Sequence, residues 1–500
     1  MQRACSTRLL VALAILGSAC SQREASPSHF DARQGHPEPA ARMEERKAEG
    51  REDYTRIVEN AVVATSTDAV STFSIDVDTA AYSNMRRFLR DGTLPPADAV
   101  RIEELINYFT YDYERPTGDE PFAVHAEVAP CPWASDHQLM RIGLAARALD
   151  ESAVPTRNLV FLLDVSGSMN DPDKLPLLQR GLGMLVDTLR EGDRVSIVVY
   201  AGASGVVLEP TSDKAEIMAA LQRLQAGGAT NGGAGIELAY RLAEGSFVQG
   251  GINRVILATD GDFNVGTTDQ AALVELIEAK RASGVFLSVL GFGTGNLKDS
   301  TMEMLADKGN GNYAYIDSIA EARKVLVTEA GSTLVTVAKD VKIQVAFDPE
   351  QVASYRLVGY ENRMLADADF IDDRKDAGEI GAGHTVTALY EIAPRSRDAA
   401  TTLASVKLRY KQPDGDTSVE RSLEVHGSDI ALPAASDDLR FAAAVAEFGL
   451  LLRDSAHRGD ASFAQVLELA RGALGRDARG LRAEFITLVE RAQGLSHARG

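Results

Sequence analysis

Three short segments of this sequence carry small oxygen-bearing side chains of the kind that hold a hard cation. Asp164-Val165-Ser166-Gly167-Ser168-Met169 sets a carboxylate and two hydroxyls at alternating positions in a loop that contains glycine. Thr230 stands within Gly227-Gly228-Ala229-Thr230-Asn231-Gly232-Gly233, and Asp260 within Ala258-Thr259-Asp260-Gly261-Asp262. Oxygen donors of this type suit Mg²⁺, which takes six oxygens at about 2.0–2.1 Å and keeps water or an outside ligand among them. Mn²⁺ fits the same donors, and Ca²⁺ fits them less closely if the loop is rigid. Taken alone, Asp164, Ser166 and Ser168 could equally form a polar turn that caps the next helix.

Other reactive side chains form no comparable pattern. The sequence has no HExxH, GxSxG or CxxC, and its eight histidines lack ligand spacing, which leaves a metal-activated hydrolase as the weaker alternative function. His125 and His384 read as surface or satisfied core residues, and Cys131 as a buried, inert thiol. Asn170, Asp171, Asp173 and Asp262 read as solvated loop charge, and Asp76-x-Asp78 as helix capping and strand-end solvation rather than a metal site, because no third ligand stands at a local spacing. Gly291-Phe292-Gly293-Thr294-Gly295 follows a strand, but its spacing is not GxGxxG and it comes late in the sheet, so no nucleotide is expected.

The three oxygen-bearing loops need elements that bring them together. Leu159–Leu163 is a continuous apolar run, as in a strand covered on both faces. The runs 194–200, 254–258 and 285–290 repeat it, with helical stretches at 175–189, 214–224, 236–243 and 270–282 and a last helix at 320–329. This alternation predicts an α/β class fold, a doubly wound and mostly parallel sheet. Ligands of such sheets bind just beyond the carboxyl ends of the strands, where Asp164 and Asp260 fall. Before this unit, strands are expected at 72–77, 122–128 and 138–145 and helices at 80–89 and 97–109, capped by Asp78 or Thr79 and by Asp98. After it come short strands at 341–347, 355–357, 385–392 and 404–410, then amphipathic helices at 439–452, 463–474 and 481–492.

With those contexts in place, Asp164-x-Ser166-x-Ser168 together with Thr230 and Asp260 resembles the metal-ion-dependent adhesion site of von Willebrand factor A domains. The resemblance implies that Ser166, Ser168 and Thr230 supply hydroxyl ligands while Asp164 and Asp260 act largely through bound waters. Such an ion stays electrophilic and favours an Asp or Glu carboxylate from a partner protein. Two further stretches, Thr72-Phe73-Ser74-Ile75-Asp76-Val77-Asp78-Thr79-Ala80-Ala81-Tyr82-Ser83 and Arg101-Ile102-Glu103-Glu104-Leu105-Ile106-Asn107-Tyr108-Phe109, look like bacterial YfbK-type A-domain lipoproteins. That family implies a companion β-sandwich-like unit, built from strands on both sides of the A domain, and C-terminal helices.

The amino terminus reads as an export signal: Arg3 and Arg8, the apolar run Leu9–Leu16, then Gly17, Ser18 and Ala19 before Cys20. The run is too short to span a bilayer, which takes about 20 helical residues. Cys20 after small residues resembles the lipobox of bacterial lipoproteins, although Gly17 stands where that family usually has Leu; it implies an acylated Cys20, and Ser21 implies outer-membrane sorting. The expected layout is leader 1–19, disordered tether 20–53, helices and strands 54–156, α/β unit 157–332, β-rich unit 333–428 and helical region 429–500. A formal net charge of −20 excludes a nucleic-acid partner, because no basic surplus is available to displace phosphate counterions. The functional expectation is therefore a non-enzymatic, envelope-anchored, metal-dependent protein-binding module, with a metal-dependent hydrolase or a passive envelope component holding a structural ion as the alternatives.

Overall fold

Every residue of the strand Arg157–Asp164 is buried, as its unbroken apolar run requires. It pairs in parallel with Arg194–Tyr200 on one side and Ile252–Thr259 on the other. Phe286–Phe292 and Tyr313–Ile316 extend the parallel sheet, and Ser204–Thr211 closes the opposite edge antiparallel to Arg194–Tyr200. Alternate residues divide between two cores. Leu159, Phe161 and Leu163 face Leu178, Leu182 and Leu185 of the helix Leu175–Asp187. Val160 and Leu162 face Ile236, Ala239 and Tyr240 of the helix Gly232–Gly245. Helices on both faces make this the expected doubly wound α/β sheet.

The computed structural model describes residues 52–498 except 202–203, 229–231, 262–269, 331–333, 397 and 414. The leader, Cys20, most of the expected tether, Thr230 and Asp262 therefore lie outside the described residues. No helix among the described residues is long and apolar enough to cross a membrane.

Three elements of the α/β unit were not expected. Ser204–Thr211 is a half-exposed edge strand interrupted by polar residues and Pro210, and Tyr313–Ile316 is only four residues long, so neither carries an extended apolar run. The helix Asp299–Lys308 mixes Met302, Leu305 and Ala306 with buried Asp299 and Glu303, which hides its apolar face in the sequence.

The segments before and after this unit interleave. One antiparallel sheet runs Val63–Ala64, Val352–Val358, Thr385–Pro394, Gln138–Ala146, Phe122–Pro130. A second runs Met364–Leu365, Val70–Ser74, Thr336–Phe347, Thr402–Lys411, Ser418–His426. Phe73, Phe347, Tyr390, Phe122 and Tyr410 meet edge-to-face in the shared core, Phe73 and Phe347 each against Tyr390 and Phe122 against Tyr410. The helices Asp437–Arg453, Phe463–Gly472 and Leu481–His497 likewise share a core with Ala80–Arg90 and Ile102–Asn107, where Phe109 lies among Phe441 and Phe485. In space the segments 54–156, 333–428 and 429–500 thus contribute to common cores rather than packing as separate bodies.

Several local expectations are corrected. The stretch 97–109 is a short 3-10 turn, Ala97–Ala99, and a separate helix, Ile102–Asn107, with Arg101 extended between them. Asp98 does not cap it; its carboxylate accepts from the Ile57 amide at 2.9 Å. Thr79 is the N-cap of Ala80–Arg90 but makes no side-chain cap bond, and the Ala81 amide donates instead to Glu104 Oε2 at 2.7 Å. Asp76 and Asp78 are not solvated: both are buried among charges from distant segments.

Candidate metal centre

Asp164 ends the central strand with its side chain fully buried. Its Oδ1 accepts from the Ser166 amide at 2.8 Å and its Oδ2 from Thr259 Oγ1 at 3.3 Å. Burial pushes its pKa up to about 6; the bonds from Ser166 oppose the shift and the nearby Asp260 charge adds to it. Ser166 opens the 3-10 turn Gly167–Asn170, which turns its Oγ to within 3.0 Å of Ser168 Oγ.

The second loop is tied to the first by two backbone bonds, Gly167 N to Gly228 O at 3.0 Å and Gly227 N to Val165 O at 2.7 Å. Thr230 itself lies two residues beyond Gly228, outside the described residues. The third loop begins at Thr259, whose Oγ1 accepts from the Gly261 amide at 3.2 Å, and Asp260 is buried beside it. Gly261 has φ +108°, and a Cβ there would lie 2.3 Å from the Asn296 carbonyl, so this turn needs glycine.

Four of the five expected residues are therefore brought to one edge of the sheet. Their donors are carboxylates and hydroxyls only, and burial of Asp164 outweighs its bonds from Ser166 and Thr259. That oxygen-only set fits a hard divalent ion.

Lys174 is the residue of this site that sequence reasoning missed. Its side chain is buried, and Nζ donates to Asp260 Oδ2 at 2.9 Å and to the Ser168 carbonyl at 3.0 Å. The only sequence signal was a basic residue six positions after Ser168, in a loop otherwise acidic. Asp171 is solvent-exposed, as expected for loop charge, with Oδ2 4.0 Å from Lys174 Nζ.

A second charged assembly joins three distant segments. Ligand-type oxygens of Asp76, Glu104 and Glu303 lie within 4.8 Å of one another. Arg363 pairs with Asp76 at 3.1 Å and with Asp307 at 2.6 Å, and Arg101 pairs with Glu104 and Asp299. Burial, with the neighbouring acids, pushes Glu104 up to about 8 and Glu303 up to about 7, although the arginines pull both down. Their separation in sequence left no local spacing to find.

The remaining candidates are quiet. His125 Nε2 lies 2.8 Å from the Glu114 carbonyl, and burial pushes His384 down to about 4. Cys131 is a free, buried thiol whose pKa burial raises. Gly293 takes φ +69° where the Lys174 chain crosses it. A cavity of about 410 Å³ lined by Leu185, Ile256, Leu290 and Val325 includes none of the site residues.

Comparison with known proteins matches residues 159–262 to the family described as von Willebrand factor type A domain, residues 48–141 to von Willebrand factor, and residues 332–495 to uncharacterized protein YfbK, C-terminal. Uncharacterized protein YfbK of Escherichia coli (strain K12) is 44% identical over 472 residues, covering 89% of this chain and 81% of that protein. A Synechocystis protein is 31% identical over 188 residues, 37% of this chain and 43% of its own length. Among solved structures, a von Willebrand factor type A protein from Catenulispora acidiphila superposes with a TM-score of 0.42 at 18% identity, over 75% of this chain and 91% of that one. BatB from Bacteroides thetaiotaomicron gives a TM-score of 0.31 at 25% identity, over 35% and 97%.

Proposed function

Because the chain belongs to the YfbK family of von Willebrand factor type A proteins, we propose that it is a binding module of the bacterial cell envelope that captures a partner protein's Asp or Glu carboxylate through a divalent metal. The observation that carries this reading is the convergence of Asp164, Ser166, Ser168 and Asp260 at the carboxyl edge of the sheet. Thr230 is assigned the remaining hydroxyl. Mg²⁺ is the ion best suited to these donors; when bound, it supplies an electrophilic centre for an incoming carboxylate. Ser166 and Ser168 would hold it through neutral oxygens, and Asp164 and Asp260 would orient its waters.

Cys20 is proposed as the lipidated anchor, with 20–53 as the tether. An acyl anchor of several chains, each buried methylene adding about 0.8 kcal/mol, would hold the module at a membrane. The test is crosslinked capture from envelope extract by immobilised protein in Mg²⁺ and in EDTA, with Thr230→Ala and Asp164→Ala beside the wild type. The reading expects a partner retained only by wild type in Mg²⁺. A partner retained equally in EDTA, or by Asp164→Ala, would overturn it.

A further inference from the structure

Lys174 places a fixed positive charge inside the candidate metal centre. Its ammonium bridges Asp260 Oδ2 of the third loop, at 2.9 Å, and the Ser168 carbonyl of the first, at 3.0 Å. The approach is built rather than incidental. The aliphatic chain runs across Gly293, where a Cβ would lie 2.2 Å from Lys174 Cε, so any larger residue there would displace the lysine. The Gly293 carbonyl is itself held by Tyr315 Oη at 2.7 Å. The lysine side chain is only 5% exposed, so solvent screens its charge weakly.

We propose that Lys174 is a tethered cation that sets the metal affinity of this centre: it occupies Asp260 and opposes the divalent ion's charge, so the ion is held weakly enough to remain reactive toward an outside carboxylate. The inference rests on the metal reading given above. Its physical basis is direct. Asp260 can compensate either the ammonium or the ion, and a buried positive charge a few ångströms away repels a second one strongly in a poorly screened site. By keeping Asp260 engaged, the ammonium also leaves the neutral hydroxyls of Ser166 and Ser168 as the ion's main support. Lys174 acts through Asp260 and is a positioning residue.

Two variants separate the charge from the packing. Lys174→Met keeps the chain over Gly293 and removes the charge, and Lys174→Gln keeps hydrogen-bond donors near Asp260 without the charge. Calorimetric titration of Mg²⁺ into metal-stripped protein is expected to give at least tenfold tighter binding in both. In EDTA both are expected to melt lower than wild type, because the buried Asp260 carboxylate loses the ammonium that balances its charge, and to gain more melting temperature from Mg²⁺ than wild type does. Mg²⁺ binding that is no tighter in either variant than in wild type overturns the inference and leaves the metal site standing. Absence of Mg²⁺ binding in all three proteins removes the metal reading and this inference with it.

Discussion

The Gly167 amide donates to the Gly228 carbonyl across 3.0 Å, stitching the loop that follows the central strand to the loop that carries Thr230. This bond and its neighbour from Gly227 to Val165 fix the backbone on both sides of the site without using any of the hydroxyls. Thr230→Ala and Ser168→Ala should therefore spare the fold and weaken Mg²⁺ binding. The expected loss is at least tenfold for each, about 1.4 kcal/mol, with melting temperatures in EDTA close to wild type. Calorimetry and thermal melting of the same samples check both halves.

Gly261 and Gly295 both adopt left-handed backbone, but only Gly261 is pressed against other backbone, with a Cβ position 2.3 Å from the Asn296 carbonyl. Gly261→Ala should cost about 2 kcal/mol or more through strain and clash. At Gly295, where nothing lies within 4 Å of a Cβ, alanine should cost about 1 kcal/mol. Urea unfolding of the two variants would sink this account of the third loop if their order were reversed.

Arg86 pins the helix Ala80–Arg90 to Asp317, just before the helix Ile319–Arg323 of the α/β unit, and to Glu321 on that helix, each at 2.6 Å and each almost wholly buried. Arg86→Met removes the shared buried partner of those acids, leaving Asp317 to Arg90 and Glu321 to Lys324, and should destabilise the protein by roughly 3 kcal/mol. Arg90 reaches the same Asp317 at 3.1 Å from a 41% exposed side chain, so Arg90→Ala should cost about 1 kcal/mol or less. Denaturant midpoints measured side by side decide whether burial or mere pairing matters here.

Alkaline pH should weaken the junction around Glu104 and Glu303. Their folded-state pKa values, about 8 and about 7, lie above the ordinary glutamate value of 4.5. The folded protein thus holds protons that the unfolded chain has released, and the stability this contributes is complete below about pH 4.5 and lost as pH rises through about 8. His384, pushed down to about 4, acts only below pH 6.5. Melting temperature in EDTA should fall from pH 6.5 to pH 9, and Glu104→Gln should flatten that fall. An unchanged slope in the variant would count against the assignment.

How much of this was legible in the sequence follows from the range of the interactions. The buried strand Arg157–Asp164 and its relatives announced themselves as apolar runs, and the positions of Asp164 and Asp260 at strand ends followed directly. The edge strand Ser204–Thr211 did not, because half of it faces solvent and its polar residues break the run. Lys174 was invisible as part of the site: a lysine in an acidic loop ordinarily points to water, and only the path across Gly293 turns it inward. Asp76 and Asp78 were misread for a related reason. Their partners Arg363, Glu104 and Glu303 come from other segments, so a local spacing argument saw two acids at a strand end and assigned them to helix capping and solvent.

The central claim is tested most directly by titrating Mg²⁺ into metal-stripped wild-type protein and into Asp164→Ala, with calorimetric detection and a folding control by circular dichroism. The account predicts saturable binding of one Mg²⁺ by the wild type and none by the folded variant. No saturable binding by the wild type, or binding of the same affinity by Asp164→Ala, would contradict it.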